Sequence, residues 1–207
     1  MLPAEPSGMA AAPQLRTGRL LLRRWRETDR DPFASLNADP EVMEHFAGPL
    51  TREESDALID HIEAGFERRG FGFWAVEVVA TEEFIGFTGL AVPAFEAHFS
   101  PAVEVGWRLK RSAWGHGYAT EAARASLAYG FDQAALRQIV AFTPADNLRS
   151  RAVMQRIGMS HDPDDDFDPI ALHVSPSLPI SPAHTTACIR FGVPGSASMR
   201  AGDAKRS

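Results

Sequence analysis

Apolar positions along the chain repeat with two different periods, and the switches between them mark the elements. RLLLRRW (19–25) sets leucines beside arginines and predicts a first strand. DPFASLNADPEVMEHF (31–46) predicts short helical turns broken by Pro32 and Pro40. Thr51 and Glu54 have the spacing of a capping box, Leu58, Ile59, Ile62 and Phe66 then share one helical face, and Gly70 closes the helix. FGFWAVEVVA (71–80) and FIGFTGLAV (84–92) are β-rich runs joined by Thr81-Glu82-Glu83, a predicted hairpin. Residues 93–101, with Phe95 and Phe99, predict a loop, and AVEVGWRLK (102–110) a third β-run. In the next segment Ala119, Ala123, Leu127 and Phe131 recur every four residues, which predicts a helix buried on one side. RQIVAFT (137–143) predicts a strand. Asn147 then opens a helix whose expected apolar face is Leu148, Ala152, Val153 and Ile157, with Gly158 as its C-cap.

Regularity then fades. Residues 160–183 carry Pro163, Pro169, Pro176, Pro179 and Pro182 and predict a long surface loop, followed by a closing strand at HTTACIRFG (184–192). The order is strand, helices, three strands, helix, strand, helix, loop, strand. That predicts a mixed α/β (α+β) sheet flanked by helices and not a doubly wound parallel one. Residues 1–14 and 194–207 are rich in Ala, Pro, Gly and Ser without apolar period and are expected to be disordered arms around one domain, 15–193.

Composition narrows the function classes. A chain of 207 residues that is 44% hydrophobic and 23% charged has the make-up of a soluble globular domain. Its net charge of −6 argues against a general nucleic-acid binder without excluding a local basic patch. The lone cysteine, Cys188, cannot form an internal disulfide and fits a cytoplasmic protein. No apolar run is long enough for a membrane span, and MLPAEPSGMAAAP lacks the features of a signal peptide, so no membrane partner is expected.

The chemistry concentrates around WGHGYATEAARASLAYGF (114–131). Glycines at 115 and 117, placed between a strand and a helix start, suit an anion site. The first backbone N–H groups of a helix lack internal partners, and glycine lets a phosphate come close. A tight structural connection is the plainer alternative. A P-loop is excluded because Gly117 is followed by Tyr118 and Ala119 rather than Lys-Ser/Thr, and a Rossmann turn because its third glycine position holds Thr120.

VEVGWRLKRSAWGHGYATEAARASLAYGF, followed by NLRSRAVMQRIGM, resembles the GNAT superfamily of acetyl-CoA-dependent N-acetyltransferases, in the branch that includes the ribosomal-protein N-terminal acetyltransferases. The resemblance covers roughly 15–168 and is strongest over 103–159. The superfamily motif Gln/Arg-x-x-Gly-x-Gly/Ala falls on Trp114-Gly-His-Gly117-Tyr-Ala119, with Trp114 in place of Gln or Arg. The resemblance implies a GNAT fold, with a mixed, mostly antiparallel central sheet whose strands 102–110 and 137–143 splay apart to admit CoA. It also implies that backbone amides of Gly115, His116, Gly117, Tyr118, Ala119 and Thr120 hold the pyrophosphate. Main-chain groups at Trp107, Arg108 and Leu109 would meet the pantetheine arm.

Glu104 would accept a proton from the acceptor amine, Asn147 would contact pantetheine, and Ser150 would approach the thiol. The plainer alternatives are a strand-bonding carboxylate, an N-cap and a surface serine. Arg149 and Arg151 are candidates for the 3′-phosphate, or else a solvated face. The expected partners are acetyl-CoA, as co-substrate, and a primary amine, either a protein α-amine or a small molecule. The protein would act as a monomer or homodimer. A non-catalytic acyl-CoA-binding module is the alternative from another class.

No metal is expected. The run Asp162 to Asp168 fails the EF-hand pattern, because the positions for Gly and Glu hold Phe167 and His173. Close relatives are expected to show Asp-Phe-Asp-His-Pro here, whereas this chain reads Asp166-Phe167-Asp168-Pro169. An acidic lip that attracts an amine is the functional alternative to a solvated turn. The seven histidines show no metal-ligand spacing, and no Gly-x-Ser-x-Gly elbow is present. Tyr118 and Tyr129 are the only tyrosines, and neither lies in the helix that Asn147 opens.

Overall fold

A computed structural model describes residues 14–93, 100–166 and 188–194. The arms at 1–13 and 195–207, the loop residues 94–99 with Phe95, and most of the proline-rich segment (167–187) lie outside the described residues. Two short strands open the chain, β1 (Leu15–Arg16) and β2 (Leu20–Arg23), followed by helices α1 (Arg30–Asn37) and α2 (Arg52–Arg69). Strands β3 (Phe73–Val78), β4 (Glu83–Ala91) and β5 (Glu104–Leu109) lead into α3 (Tyr118–Asp132), β6 (Gln138–Pro144) and α4 (Leu148–Arg156). β7 (Ser160–His161) and β8 (Cys188–Pro194) complete the sheet, whose order is β1-β2-β3-β4-β5-β6-β8-β7. Every described pair is antiparallel except β5–β6. The sheet is therefore mixed, as predicted.

Local signals set most of the element ends. Thr51 accepts from the Glu54 amide at 3.2 Å while the Glu54 carboxylate accepts from the Thr51 amide at 2.8 Å, so α2 starts on a closed capping box. It stops at Gly70, whose φ of 74° is left-handed and whose N–H reaches Phe66 O at 2.9 Å. The Tyr129 hydroxyl of α3 donates to the Gly70 carbonyl at 2.8 Å and ties the two helices together.

Two sequence expectations need correction. Pro32 does not break the first helix, because it lies in the first turn of α1, where its missing N–H has no intrahelical partner to lose. Leu148 is not part of the apolar face of α4: it is 68% exposed, and Met154, at 2%, is the side chain that enters the core. Of the closing strand expected at 184–192, the part within the described residues is β8, Cys188–Pro194, and 184–187 lie outside them.

Alternation along the strands sorts the core into two faces. Phe73 and Phe87 stack at 4.9 Å on one face, where Phe33 of α1 meets Phe87 edge-on at 5.9 Å. Trp74 points the other way and meets Tyr129 of α3 at 5.2 Å. Glu77 is buried within β3 because Arg23 and Arg26 donate to it at 2.8 and 2.9 Å, while Asp29 takes both ends of the Arg23 guanidinium at 2.7 and 2.8 Å. Hydrogen bonds to these carboxylates hold the Arg23 pKa above its ordinary value although burial pulls it down.

The feature that positions the site lies between β5 and β6. Their register is a single pair, Glu104 with Val140, and beyond it β5 follows β4 while β6 follows β8. The sheet opens in a V from Glu104 towards Leu109 and Pro144. The N-termini of α3 and α4 both stand at the open end, because each helix follows the C-terminal end of one splayed strand.

Candidate active site

The V forms part of a cleft of about 1430 Å³ that reaches from the α1–α2 region to the starts of α3 and α4. Its lining includes every candidate cofactor residue of the glycine turn except His116, together with Trp107, Arg108, Leu109, Asn147, Arg149 and both candidate catalytic residues, Glu104 and Ser150.

The glycine turn has the geometry of an anion cradle. Gly115 and Gly117 adopt φ of 79° and 78°, where a side chain would be strained. The first α3 amide to find a partner before the helix is Glu121 N, bonded to Gly117 O at 3.1 Å, so the amides of Tyr118, Ala119 and Thr120 remain outside the helical ladder. Trp114 explains its place in the motif: its indole N–H donates to Leu109 O at 2.8 Å and folds the turn back onto the end of β5. The Arg149 guanidinium lies 4.4 Å from the Trp114 ring and brings a cation from α4 beside the cradle. His116 contributes its carbonyl, which accepts from Arg19 Nη1 at 3.0 Å.

Arg19 is a residue the sequence reading missed. It braces the turn from β2 by pairing with Glu121 at 2.6 Å and lying 4.8 Å from the Tyr118 ring centroid. In sequence it is one of the arginines set beside leucines in the first expected strand, and no local pattern ties it to a helix 102 residues away.

The strand side of the V is prepared for a ligand backbone. Lys110 N bonds across to Ile85 O at 2.9 Å, and alternation then turns the N–H and C=O groups of Trp107 and Leu109 towards the open side. The Leu109 carbonyl is already taken by Trp114, which leaves its amide and both groups of Trp107 for a ligand. Arg108 departs from the expectation that its main chain meets pantetheine, because alternation turns its N–H and C=O groups towards β4, opposite Phe87. Its side chain points to the opposite face, donates to Asn37 Oδ1 at 2.7 Å and lies 4.0 Å from the Phe46 ring centroid. Strand alternation, which separates it from Trp107 and Leu109, is the reason.

Asn147 and Ser150 meet through a cap bond: Asn147 Oδ1 accepts from the Ser150 amide at 3.1 Å. Asn147 is thus a true N-cap, and Ser150 keeps only its hydroxyl for other partners at the cleft wall. Arg151 turns back to the Ala145 carbonyl at 2.9 Å, away from a phosphate role. Tyr129 is occupied by Gly70, as described above.

Glu104 stands at the vertex of the V, on the same face as Gly106 and Arg108. Burial pushes its carboxyl up from 4.5 to about 8, and no cation or hydrogen-bond donor among the described residues counters it. A carboxyl poised in this range is suited to take up a proton near neutral pH. Residues from 31–69 complete the far half of the cleft, with Phe46 and His61 among them. Burial and the nearby Arg68 and Arg69 lower the His61 pKa. His45, also in this wall, places Nδ1 3.6 Å from Asp146 Oδ1.

In a chain of net charge −6, the cleft wall carries Arg19, Arg69, Arg108, Arg124, Arg149 and Arg156 against Glu41, Glu104 and Glu121. The basic patch that composition left open is therefore concentrated here. In the acidic segment, Asp162 accepts from the Asp164 amide at 3.1 Å, and His161 bonds Asp166 at 2.8 Å. Among the described residues no three His, Cys, Asp or Glu side chains gather as a metal set, and no helix is long and apolar enough to cross a membrane.

Comparison with known proteins agrees with this geometry. The family model described as Acetyltransferase (GNAT) domain matches residues 19–160. The chain is 34% identical over 158 residues to the FsC-acetyl coenzyme A-N(2)-transacetylase of Aspergillus fumigatus, spanning 73% of this chain and 66% of that protein. Its fold is similar to that of an acetyltransferase from Agrobacterium tumefaciens, with a TM-score of 0.70 at 27% identity, covering 92% of this chain and 99% of the other. The ribosomal-protein alpha-N-acetyltransferase RimL, solved in complex with coenzyme A, shares the fold with a TM-score of 0.68 at 16% identity, covering 89% and 99%.

Proposed function

The chain belongs to the GNAT acetyltransferase family, which transfers an acetyl group from acetyl-CoA to an amine, and on that premise we propose how this cleft divides the work. The CoA pyrophosphate rests on the amides from Gly115 to Thr120, with Arg149 beside it. Pantetheine follows the open edge of β5 along Trp107 and Leu109 and passes Asn147. One of those N–H groups steadies the thioester oxygen as it gains charge. The amine enters from the Phe46 and His61 side. Its nitrogen attacks the acetyl carbonyl directly, the C–N bond forms and the C–S bond breaks. The proton lost by the amine passes to Glu104, directly or through water, and the thiolate leaves beside the Ser150 hydroxyl, which donates a hydrogen bond to it.

The observation that carries this reading is Glu104. It is a half-buried carboxyl with its pKa raised to about 8, at the point where two strands part, in the same cleft as the glycine turn and the N-terminus of α3. The acceptor is a primary amine, on a protein N-terminus or a small molecule. An α-amine titrates near ~7.7–8.0 against ~10.4 for lysine, and so needs less help from such a base. The Aspergillus relative, named for transfer from acetyl coenzyme A to a nitrogen, supports an N-acceptor. The lone Cys188 supports a reducing, cytoplasmic setting.

The test is thiol release from acetyl-CoA with a panel of peptides and small amines, repeated with Glu104→Gln. Acceptor-dependent release that collapses in the variant is expected. Release that no acceptor stimulates overturns the enzyme reading.

A further inference from the structure

Arg108 carries more charge and more donors than the described residues satisfy. Its side chain is 4% exposed, its Nη1 donates to Asn37 Oδ1 at 2.7 Å, and its Nε has no hydrogen-bond partner among the described residues. Phe46 at 4.0 Å and Phe87 at 5.4 Å fix the guanidinium between two rings. No carboxylate of the described residues stands against it, and burial lowers its pKa to about 9. Arg23 supplies the contrast within the same molecule: it is 3% exposed and has both Asp29 and Glu77. A buried cation without an anion is costly, and a folded protein keeps one where something else supplies the charge.

Position says where that charge comes from. Arg108, Phe46 and Phe87 all line the catalytic cleft. Arg108 shares a strand face with Glu104 four residues away, a span of about 13 Å between Cα atoms. We propose that Arg108 receives a carboxylate borne by the acceptor, so that this enzyme selects amines carrying an anionic group within that span, about 13 Å, of the reacting nitrogen. This rests on the reading of Glu104 as the amine end of the cleft.

The experiment compares acceptors that differ only in that charge. One arm pairs ω-aminooctanoate with its carboxamide. The other pairs C-terminally amidated Ala-Ala-Glu with Ala-Ala-Gln. The first arm probes a free amino acid, the second an acidic peptide. A preference for the carboxylate of roughly tenfold or more in kcat/KM, expressed in KM, is expected in at least one arm. Arg108→Gln should bring the ratio to about one, and Arg108→Lys should retain part of it, because a lysine keeps the charge without the fixed fork. Equal kcat/KM for acid and amide in both arms of the unaltered protein overturns the proposal without needing any variant to fold. If acetyl-CoA binds but no amine is acetylated, the proposed function fails separately. Calorimetry with the N-acetylated acids and amides then decides the carboxylate site by itself: tighter binding of the acids supports it, and equal affinity overturns it.

Discussion

Replacing Glu104 by glutamine removes the carboxyl whose charge state the cleft shifts, and the structure sets the size of two effects. Burial moves the carboxyl from 4.5 to about 8. Between those values the unfolded chain is ionised while the folded protein still holds its proton. Stability therefore falls as pH rises through that window and levels off above it. Fully shielded, the displacement would amount to about 5 kcal/mol, and the water that reaches a half-buried side chain reduces it to roughly 2–3 kcal/mol. Glutamine has no proton to lose. Glu104→Gln should match the parent near about pH 4.5 and exceed it by that amount above about pH 8, measured by urea denaturation at both ends.

Activity moves the other way. Loss of a general base costs roughly 10²–10⁴-fold, and the variant should lose the rise of kcat/KM through about pH 8. Because an α-amine titrates in the same range, the profile must be repeated with an acceptor of different basicity. A limb that follows the acceptor's pKa and survives in Glu104→Gln, or denaturation curves that do not diverge with pH, would refute the reasoning.

Three further outcomes follow from named contacts. Gly117→Asp places a carboxylate against the pyrophosphate cradle at a backbone φ of 78°. Acetyl-CoA affinity by calorimetry should fall by about 100-fold or more with roughly 1 kcal/mol of lost stability, and an unchanged Kd would remove the cradle assignment. Met154→Ala should cost about 2–5 kcal/mol in chemical denaturation while Leu148→Ala stays within about 0.5 kcal/mol, the reverse of the ranking expected from the sequence. Asp29→Asn leaves Arg23 with Glu77 alone among its carboxylates and should destabilise by about 3 kcal/mol, whereas a loss below about 1 kcal/mol would mean that one carboxylate suffices.

How much was legible depended on the range of the interaction concerned. The capping box at Thr51, the closing Gly70 and the glycine turn before α3 were readable because each acts over a few residues and demands particular side chains there. The α4 face was misread at Leu148 and Met154 because a short helix offers several apolar stripes, and only its neighbours choose among them. Asn147 was legible as a cap, and its bond to the Ser150 amide bears that out, with both residues at the cleft wall. Arg19 and Arg108 were beyond the reach of spacing rules, as one acts across 102 residues on Glu121 and the other across 71 on Asn37.

The sequence by itself determined the element order, the mixed sheet and the place of the glycine turn before α3, because strand period, helix caps and positive-φ glycines are local requirements that few residues meet. Only the tertiary structure decided that β5 and β6 part after a single paired position, that Glu104 is half-buried at the vertex, and that Arg108 is buried in the cleft wall without a carboxylate among the described residues. The physical reason is that burial and charge pairing are properties of the surroundings. A glutamate or arginine has the same letters in water and in a cleft, and the fold alone sets what its charge costs.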